Sequence, residues 1–585
     1  MSAAGEELRK AVEEFSRGRI DEASRLCQLA LARDGGDAGA LHLAAAIALL
    51  QGRYDVALAQ ADAAIRSNPR DATQYQTRGQ ANVALGMKEA AESDFRKAIE
   101  LSPGFPEAHA SLGARLLDRG QFAAAHAHLE TALGKNPGVA QWRYNLALCE
   151  TGLGHGEAAE RHLSEVLRID PSFAPAWRHV GVVRLAAGDT ETARRCFERS
   201  LDLEPSSADG WTGLGSAKRR AGDREGAERA YRTALEQAPG NLVALQNLGN
   251  ILRERGRLDE SKAILERCVA NAGGPYAHFG LALTRLTLGE LAAAWQEYRW
   301  RDGVAPDPGA GSALRAALDR RQPIVLTGEQ GLGDILFFLR WVPMLAADPA
   351  TLTLRCDARL HAIVARAGLI GHFEDEAFAA KPGELSIRVG DLPALLWRGK
   401  EEHPPAVPLE ANPAALEAAR QALRGAGASP YVAVAWRAGL APGASEERLF
   451  KSVPLDKLGA ALRDIPGTLV SVQRNPMAGE IEALSRAAGR PVLDASAFND
   501  DLARITGMMA AVDSYVGVSS TNVHLRAGLG LGAAILVPFP PEWRYGAEGA
   551  GTPWYPDFRL YREHPSRGWD EALSAMSSGM ARPHR

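Results

Sequence analysis

The sequence lacks several features that would define particular classes of protein. Its five cysteines lie far apart with no Cys-x-x-Cys pair, which excludes a disulfide scaffold and a cysteine-built zinc site. The longest apolar run, Leu41–Leu50, is interrupted by His42 and is too short to cross a bilayer. No apolar segment typical of a secretory signal follows Met1. These absences predict a cytoplasmic protein without a membrane span.

Neither sign of charge dominates the composition. The formal net charge is −4 for 585 residues, so we expect no nucleic-acid or anionic-membrane surface spread over the whole molecule. A chain of this length exceeds what one ordinary core supports, which predicts two to four domains.

The first half of the sequence is dominated by a 34-residue repeat. Its prolines are Pro69, Pro103, Pro137, Pro171, Pro205 and Pro239, and its glycines are Gly52, Gly86, Gly120, Gly154, Gly188, Gly222 and Gly256. A proline ends a helix, a glycine allows the turn between two helices, and small residues five positions after each glycine let the two helices approach closely. The repeat therefore predicts stacked pairs of helices.

This pattern resembles the tetratricopeptide repeat, because Trp177-x2-Val180-Gly181 and Trp211-x2-Leu214-Gly215 stand where the signature of that repeat has them. The resemblance implies an α solenoid over residues 1–301. We expect about seven full repeats between residues 38 and 270, with a divergent pair before them and a last pair around 276–300.

A tetratricopeptide array presents a concave face that binds a peptide or a protein. The candidate acceptor-binding side chains on that face are Asn145, His179, Asn247 and Asn250. The amides of the asparagines would hydrogen-bond the backbone of an extended ligand, as in the repeat arrays of protein O-glycosyltransferases. The alternative is that each is a solvated helix residue.

The 34-residue interval stops near Arg301, and the Gly- and Pro-rich residues 302–312 predict a linker. Beyond the linker, short β-type runs alternate with helical stretches, which is typical of an α/β fold.

A glycine-rich loop with Gly331 and Gly333 follows the first predicted strand, Pro323–Thr327, and precedes a predicted helix, Ile335–Leu345. Such a loop brings backbone N–H groups and a helix N-terminus towards a ligand. The string GEQGLGDILFFLRWVPML resembles the opening of the nucleotide-sugar transferase module found behind tetratricopeptide arrays in bacteria. That module is similar to heptosyltransferases and O-GlcNAc transferase. The resemblance implies the GT-B fold, with facing Rossmann-like halves at 313–425 and 426–585, the second of which binds the nucleotide sugar.

Later segments match the same family in order and contain the other candidate donor-binding residues. These are Arg437 in Pro430–Gly439, Lys451 in Phe450–Leu455, Gln473 in Thr468–Arg474, and Ser519, Ser520, Thr521, Asn522 and His524 in Asp513–Gly530, before a tail with Glu542–Arg544 and Pro553–Pro556. The resemblance implies that Arg437 and Lys451 neutralise the donor phosphate and that Gln473 touches the base or ribose. His524 would contact the phosphate or the sugar, and the alternative for it is a structural histidine.

One departure from the family concerns the donor. The family has Val-Asp-Thr before the phosphate-binding turn, whereas this sequence has Val518-Ser-Ser-Thr521. The hydroxyls of Ser519, Ser520 and Thr521 suit a phosphate, although a plain helix cap is the alternative. The missing acid argues against a UDP- or ADP-linked donor. The layout is also similar to flagellin glycosyltransferases that transfer nonulosonic sugars, which implies a CMP-linked donor and flagellin as acceptor.

Glycosyl transfer to a hydroxyl needs a base close to the acceptor. Asp334 stands at the position of the base in heptosyltransferase-like enzymes, and its alternative role is to cap its helix. The GT-B resemblance implies metal-independent catalysis, and we predict no metal site and no cofactor besides the nucleotide-sugar substrate.

Together these features predict a cytoplasmic protein O-glycosyltransferase that modifies Ser or Thr hydroxyls of a protein held by its repeats. Two alternatives stay open. One is a non-catalytic tetratricopeptide scaffold with a degenerate GT-B domain, and the other is a transferase that builds a glycan or a lipid-linked sugar.

Overall fold

The structure is a computed structural model that describes residues 3–379, 381, 383–397, 403–438 and 451–581. Gly439 and Phe450, which belong to two of the family-like segments, lie outside the described residues. The chain divides into two compact units, Met1–Ala221 and Gly222–Arg585.

The first unit consists of antiparallel helix pairs. Its helices are α1 (Ala3–Ser16), α2 (Ile20–Arg33), α3 (Ala38–Leu50), α4 (Tyr54–Ser67), α5 (Ala72–Ala84), α6 (Lys88–Leu101), α7 (Pro106–Asp118), α8 (Phe122–Lys135), α9 (Ala140–Gly152), α10 (Gly156–Ile169), α11 (Ala174–Ala186), α12 (Thr190–Leu203) and α13 (Ala208–Arg220).

The recurring prolines, glycines and small residues have the predicted effects on the helices. The helices α4, α6, α8, α10 and α12 each end two residues before a repeat proline, as α4 does at Ser67 before Pro69. The glycines from Gly52 to Gly222 all adopt positive φ, between 70° and 87°, which an L side chain rarely tolerates. A Cβ atom on Gly79 would lie 2.4 Å from the Phe95 ring, so this glycine lets α5 and α6 pack closely. The tetratricopeptide pattern is confirmed at these positions.

In α5, α7, α9, α11 and α13 the side chain of the fourth helical residue bonds the helix to the turn before it. Five residues of four types donate a hydrogen bond of 2.9 to 3.1 Å to the carbonyl of the proline six residues earlier: Tyr75 to Pro69, His109 to Pro103, Arg143 to Pro137, Trp177 to Pro171 and Trp211 to Pro205. The geometry of the repeat, and not one residue type, therefore selects this bond.

The second unit begins with five further helices of the repeat pattern and continues into an α/β region. Its helices are α14 (Arg224–Gln237), α15 (Leu242–Glu254), α16 (Leu258–Ala270), α17 (Pro275–Leu288), α18 (Leu291–Tyr298), α19 (Ala310–Asp319), α20 (Leu332–Phe338), α21 (His361–Ala365), α22 (Leu392–Leu396), α23 (Pro413–Ala426), α24 (Leu455–Leu462), α25 (Glu480–Ala488), α26 (Leu502–Ala511), α27 (Thr521–Gly528) and α28 (Asp570–Met580).

Two details differ from the expectations. The predicted linker, 302–312, ends in the first turn of α19. The predicted helix over 335–345 is α-helical only in α20 and continues as a 3-10 helix, Leu339–Leu345, that contains Pro343. The proline has no N–H for the α-helical hydrogen bond, which accounts for the tighter turn.

The strands of the second unit form two parallel sheets and one short antiparallel pair. They are β1 (Ile324–Thr327), β2 (Leu352–Cys356), β3 (His372–Asp375), β4 (Leu385–Arg388), β5 (Tyr431–Ala435), β6 (Arg437–Ala438), β7 (Lys451–Ser452), β8 (Thr468–Ser471), β9 (Val492–Asp494), β10 (Ser514–Gly517), β11 (Ala533–Val537) and β12 (Phe558–Arg562). The first sheet has the order β3-β2-β1-β4 and the second β12-β11-β10-β5-β8-β9, while β6 pairs with β7. The parallel sheets fit the predicted α/β class.

The second sheet is covered on both faces. Val432 and Val434 of β5 join a core with α24, α25 and α28, whereas Ala433 and Ala435 of the same strand join the core that contains α26 and α27. Alternate residues of a strand point to opposite faces, so β5 is buried on each side. The second of these cores also includes α18, α20 and β1.

Candidate functional site

The helices that follow the central strands of the two sheets contact each other at a glycine. Gly333 lies in the first turn of α20, after β1, and faces α27, after β10. A Cβ atom at Gly333 would lie 2.8 Å from Cδ2 of His524 and 3.5 Å from Cα of Thr521. The predicted glycine-rich loop and the predicted hydroxyl turn are therefore neighbours.

His524 has a fixed partner in this contact. Its Nδ1 atom lies 2.7 Å from the hydroxyl of Tyr555. Burial lowers the pKa of His524 well below its ordinary value, and the charge of Arg544 acts in the same direction. Burial also raises the pKa of Tyr555 to about 12. The imidazole is therefore neutral and shares one hydrogen bond with the Tyr555 hydroxyl at Nδ1.

The loop between β1 and α20 is held by the segment that ends the repeats. Nε of Arg301 donates to Oε1 of Glu329 at 3.1 Å, and Nη1 donates to Asp391 at 2.6 Å. The hydroxyl of Tyr298 donates to Oε1 of Gln330 at 3.2 Å. Gln330 has a φ of 65°, a strained value for a residue other than glycine. These contacts fix the loop that precedes Asp334.

Lys451 reaches the end of the second sheet through the short pair of strands. β6 follows β5 directly, and Ala438 of β6 pairs with Lys451 of β7. The pairing sets the Lys451 side chain beside residues at the carboxyl ends of β10 and β11, where ligands of open parallel α/β sheets bind.

Four charged side chains alternate in sign across the site. Lys451 Nζ forms an ion pair with Oε2 of Glu542, Oε1 of Glu542 pairs with Nη1 of Arg544, and Nη2 of Arg544 pairs with Oδ1 of Asp334. Asp334 is the most accessible member, with 32% of its side chain exposed, compared with 7% for Arg544. The series has no net charge.

The neighbours of Glu542 and Arg544 keep both groups ionised. Burial would raise the pKa of Glu542, but the charges of Lys451 and Arg544, together with a hydrogen bond from Ser519, hold it well below its ordinary value. Burial would lower the pKa of Arg544, but the carboxylates of Asp334 and Glu542 raise it. The Arg544 guanidinium also lies over the rings of Phe337 and Trp543, 4.6 and 4.4 Å from their centroids.

A pocket opens beside this charged series. Its empty space measures about 320 Å³ when the open solvent at its mouth is included. The lining residues are the polar Lys451, Ser519, Glu542 and Tyr545 and the apolar Val537, Pro538, Phe539 and Pro540. Of the predicted donor-binding residues, Lys451 and Ser519 therefore share one hollow.

Arg437 and Gln473 make contacts within the protein. Nη2 of Arg437 donates to Glu480 at 2.8 Å and to the carbonyl of Asn475 at 3.1 Å. Oε1 of Gln473 accepts from the backbone N–H groups of Trp436 and Arg437 at 3.0 and 2.9 Å. Nε2 of Gln473 donates to the carbonyl of Arg437 at 3.0 Å. Gln473 thus fastens the end of β5 to the end of β8.

The other residues of the hydroxyl turn lie at the start of α27. Ser520 is the residue before the helix, and its side chain makes no capping hydrogen bond. Its hydroxyl lies 3.4 Å from that of Tyr515. Nδ2 of Asn522 donates to the carbonyl of Val472 at 3.4 Å. Gly331, before α20, donates its N–H to Oδ2 of Asp334 at 3.4 Å, so Asp334 also has the capping role considered as its alternative.

The predicted acceptor-binding residues are half-buried and already hydrogen-bonded or closely packed. Asn145 accepts from Gln141 at 3.0 Å within α9, and Nε2 of His179 lies 2.8 Å from the hydroxyl of Thr151. In the second unit, Asn247 also has an interaction partner, and a Cβ atom at Gly280 would lie 2.9 Å from Oδ1 of Asn250. His179 therefore links α11 to α9, whereas Asn145 bonds only within its own helix.

Sequence reasoning missed Glu542, Arg544 and Tyr545 as members of the site. In the sequence, Glu542-Trp543-Arg544 matches the family only as part of its tail. An acid and a base two residues apart beside a tryptophan are the signal that could have identified them.

Among the described residues, no three His, Cys, Asp or Glu side chains are grouped so that they could hold a metal ion. In the same part of the chain, none of the helices is both long and apolar enough to traverse a bilayer.

The chain is similar to known repeat proteins. Sequence profiles described as "Tetratricopeptide repeat" match residues 116–180 and 218–286 and residues 48–106 and 181–241. No curated protein matches the chain.

Solved structures are also similar to it. The APC/C hetero-tetramer Cut9-Hcn1 is 18% identical with a TM-score of 0.39, and the match covers 48% of this chain and 55% of that one. A tetratricopeptide repeat protein from Parabacteroides merdae is 18% identical with a TM-score of 0.34, covering 42% of this chain and 97% of that one. A thermophilic TPR protein of Thermus thermophilus is 25% identical with a TM-score of 0.27, covering 31% and 100%. The helical half of this chain contains tetratricopeptide repeats.

Proposed function

We propose that this protein transfers a sugar from a nucleotide-sugar donor to Ser or Thr hydroxyls of a protein that its repeats bind. One observation carries the proposal: Lys451, which the family resemblance assigns to the donor phosphate, and Ser519, whose hydroxyl suits a phosphate, line one pocket at the carboxyl ends of parallel strands. This is where open α/β sheets bind their ligands. Tetratricopeptide repeats supply the protein-binding function that a protein acceptor requires.

The proposed reaction involves the acceptor hydroxyl, Lys451 and Asp334. The hydroxyl oxygen of the acceptor forms a bond to the anomeric carbon, and the bond from that carbon to the phosphate oxygen breaks. The electron pair leaves with the nucleotide phosphate, whose added charge the ammonium of Lys451 stabilises. Asp334 receives the proton from the acceptor hydroxyl, for which its partly exposed carboxylate is reachable.

The contact between α20 and α27 supports the GT-B arrangement, because it sets the glycine-rich loop of one sheet against the hydroxyl turn of the other. The turn at Ser519–Thr521 carries hydroxyls in place of an acid. On this basis we propose a CMP-linked nonulosonic sugar as the first donor to test and flagellin as the first acceptor, with the reaction in the cytoplasm.

A specific observation favours a second candidate, a non-catalytic scaffold. Lys451 is paired with Glu542, Asp334 with Arg544, and Arg437 with Glu480. A degenerate transferase that kept its fold for protein binding would use these charges to stabilise the unit, with none reserved for a substrate.

The experiment that separates the candidates is a transfer assay with the full-length protein. Flagellin is incubated with CMP-, UDP- or ADP-linked sugars, and the acceptor is analysed by intact mass. We expect a mass increase with the CMP-linked donor that Asp334→Asn and Lys451→Ala reduce at least about tenfold, as loss of a general base or a charge-stabilising group does. Lys457→Ala, which removes an exposed lysine paired with Asp570, serves as the control. Absence of transfer, together with no rise in melting temperature on addition of any of the nucleotides, would favour the scaffold.

A further inference from the structure

The carboxylate of Glu542 lies between Lys451, which lines the pocket, and Arg544 beside it. One of its oxygens pairs with Lys451 Nζ and the other with Nη1 of Arg544. Only 11% of its side chain is exposed. A carboxylate held between an ammonium and a guanidinium makes the contacts that a phosphate makes in the same place, since both anions accept charge-assisted hydrogen bonds.

The hydroxyl groups of the pocket also suit an anion. The hydroxyl of Ser519 acts on both the Glu542 carboxylate and the Tyr545 hydroxyl, lowering the pKa of each against the effect of burial. Tyr545 is buried, and its hydroxyl makes no hydrogen bond of ordinary geometry with any described residue. A buried hydroxyl gains from a well-placed acceptor, which an incoming phosphate oxygen would supply. Burial raises the pKa of Tyr545 well above its ordinary value, so this hydroxyl keeps the proton that it would donate.

We infer that Glu542 occupies the anion site of this pocket in the absence of ligand and that a phosphate-bearing ligand binds in exchange for it. The inference rests on the proposed function for the identity of the ligand, a nucleotide sugar, but not for the site itself. Displaced from Lys451, Glu542 keeps Arg544 as a partner, so its charge stays compensated. Glu542 therefore weakens the binding of every anion and excludes those that cannot engage Lys451, Ser519 and Tyr545 together.

A purely structural ion pair predicts a different result on neutralisation. If Glu542 only positioned Lys451 and Arg544, removal of its charge would loosen both cations and weaken phosphate binding. If Glu542 competes with the ligand, removal of its charge leaves the pocket with one more positive charge and strengthens phosphate binding. The sign of the change in affinity distinguishes the two roles.

The test measures binding of inorganic phosphate and of CMP to the full-length protein by calorimetry. We expect Glu542→Gln to lower the Kd for inorganic phosphate at least about tenfold, and Lys451→Gln to abolish detectable binding. Glu571→Gln removes a glutamate from an exposed pair with Arg567 and should leave the Kd unchanged. An unchanged or higher Kd in Glu542→Gln would overturn the inference.

A second variant keeps the test informative if Glu542→Gln folds poorly. The shorter side chain of Glu542→Asp cannot reach both cations, so we expect a smaller decrease in the phosphate Kd, and an increase would contradict the exchange. CMP binding that responds to the variants while inorganic phosphate binding does not would also contradict a site for the phosphate itself. Tighter phosphate binding in Glu542→Gln without transfer from any donor would refute the proposed enzyme and leave the exchange intact. Transfer activity of the wild type, with a phosphate Kd that Glu542→Gln leaves unchanged, would support the proposed enzyme and refute the exchange.

Discussion

The guanidinium of Arg544 forms an ion pair with the carboxylate of Asp334, 210 residues earlier in the chain. Arg544 precedes β12 of the second sheet, and Asp334 follows β1 of the first. The pair therefore joins segments that belong to different sheets of one unit, and it places the proposed base next to a permanent positive charge.

Replacement of Arg544 by methionine tests how much this junction contributes to stability. The variant leaves Asp334 and Glu542 without their shared cation, and removal of one partner of a buried pair costs about 3 kcal/mol. We expect a loss of this size in the opening free energy of segments around α20 and residues 542–545, measured by hydrogen exchange. Arg567→Met removes an exposed pair with Glu571 and should change this opening free energy by less than about 1 kcal/mol. Equal effects of the two variants would mean that the Asp334 pair contributes no more than a surface contact.

The close approach of α20 and α27 is tested by adding one methyl group. In Gly333→Ala the new Cβ atom would lie 2.8 Å from the His524 ring, so the two helices must separate. We expect a loss of unfolding free energy of about 1 to 3 kcal/mol, as for other overpacked contacts, measured by urea denaturation.

Gly331→Ala is the matched control, two residues away. A Cβ atom there would meet Oδ2 of Asp334 at an ordinary 3.5 Å, and the φ of −89° suits an L residue. Its unfolding free energy should stay within about 0.5 kcal/mol of the wild type. A Gly333→Ala protein as stable as this control would mean that α20 and α27 are not in tight contact.

The repeats could be predicted from sequence to within a residue or two, because proline and glycine act on their own backbone. Pro69 ends α4 whatever surrounds it, and Gly52 needs positive φ for a local turn. The hydrogen bond from the fourth residue of the first helix to the proline carbonyl could not be predicted, because tyrosine, histidine, arginine and tryptophan all form it.

The site could be predicted only in part, for a physical reason. Lys451 and Ser519 stand at the ends of strands, where topology alone brings side chains together, and the pocket contains both. The partners that neutralise Lys451 and Asp334 come from residues 542–544, which lie far from both in the sequence. Hydrophobic periodicity and loop glycines carry no information about such pairs, since the charges meet only after both sheets are assembled.

Gln473, predicted to contact the nucleotide, makes hydrogen bonds within the protein. Its amide oxygen accepts from the backbone N–H groups of Trp436 and Arg437, and its amide nitrogen donates to the carbonyl of Arg437. Gln473→Leu leaves these buried groups unpaired, so we expect a loss of unfolding free energy of about 2 to 3 kcal/mol, measured by urea denaturation. Gln322→Leu, at an exposed position before β1, should change it by less than about 0.5 kcal/mol. A Gln473→Leu protein of normal stability that no longer binds CMP would instead support the predicted contact with the nucleotide.

Acid should destabilise the repeat unit through His179. Burial, with a further effect of Arg178, lowers the pKa of His179 to about 4, whereas an unfolded chain has a histidine pKa near 6.5. Between these values the unfolded state binds the proton and the folded state does not, so stability decreases as the pH falls. We expect His179→Gln, which keeps a polar contact to Thr151, to gain about 2 kcal/mol relative to the wild type between pH 7 and pH 5. Hydrogen exchange of α9 and α11 at the two pH values measures this difference. Thr151→Val removes the hydrogen-bond partner but keeps the imidazole, so it should retain the acid sensitivity of the wild type. If the difference in opening free energy between the wild type and His179→Gln did not change with pH, His179 would be protonated equally in the folded and unfolded states.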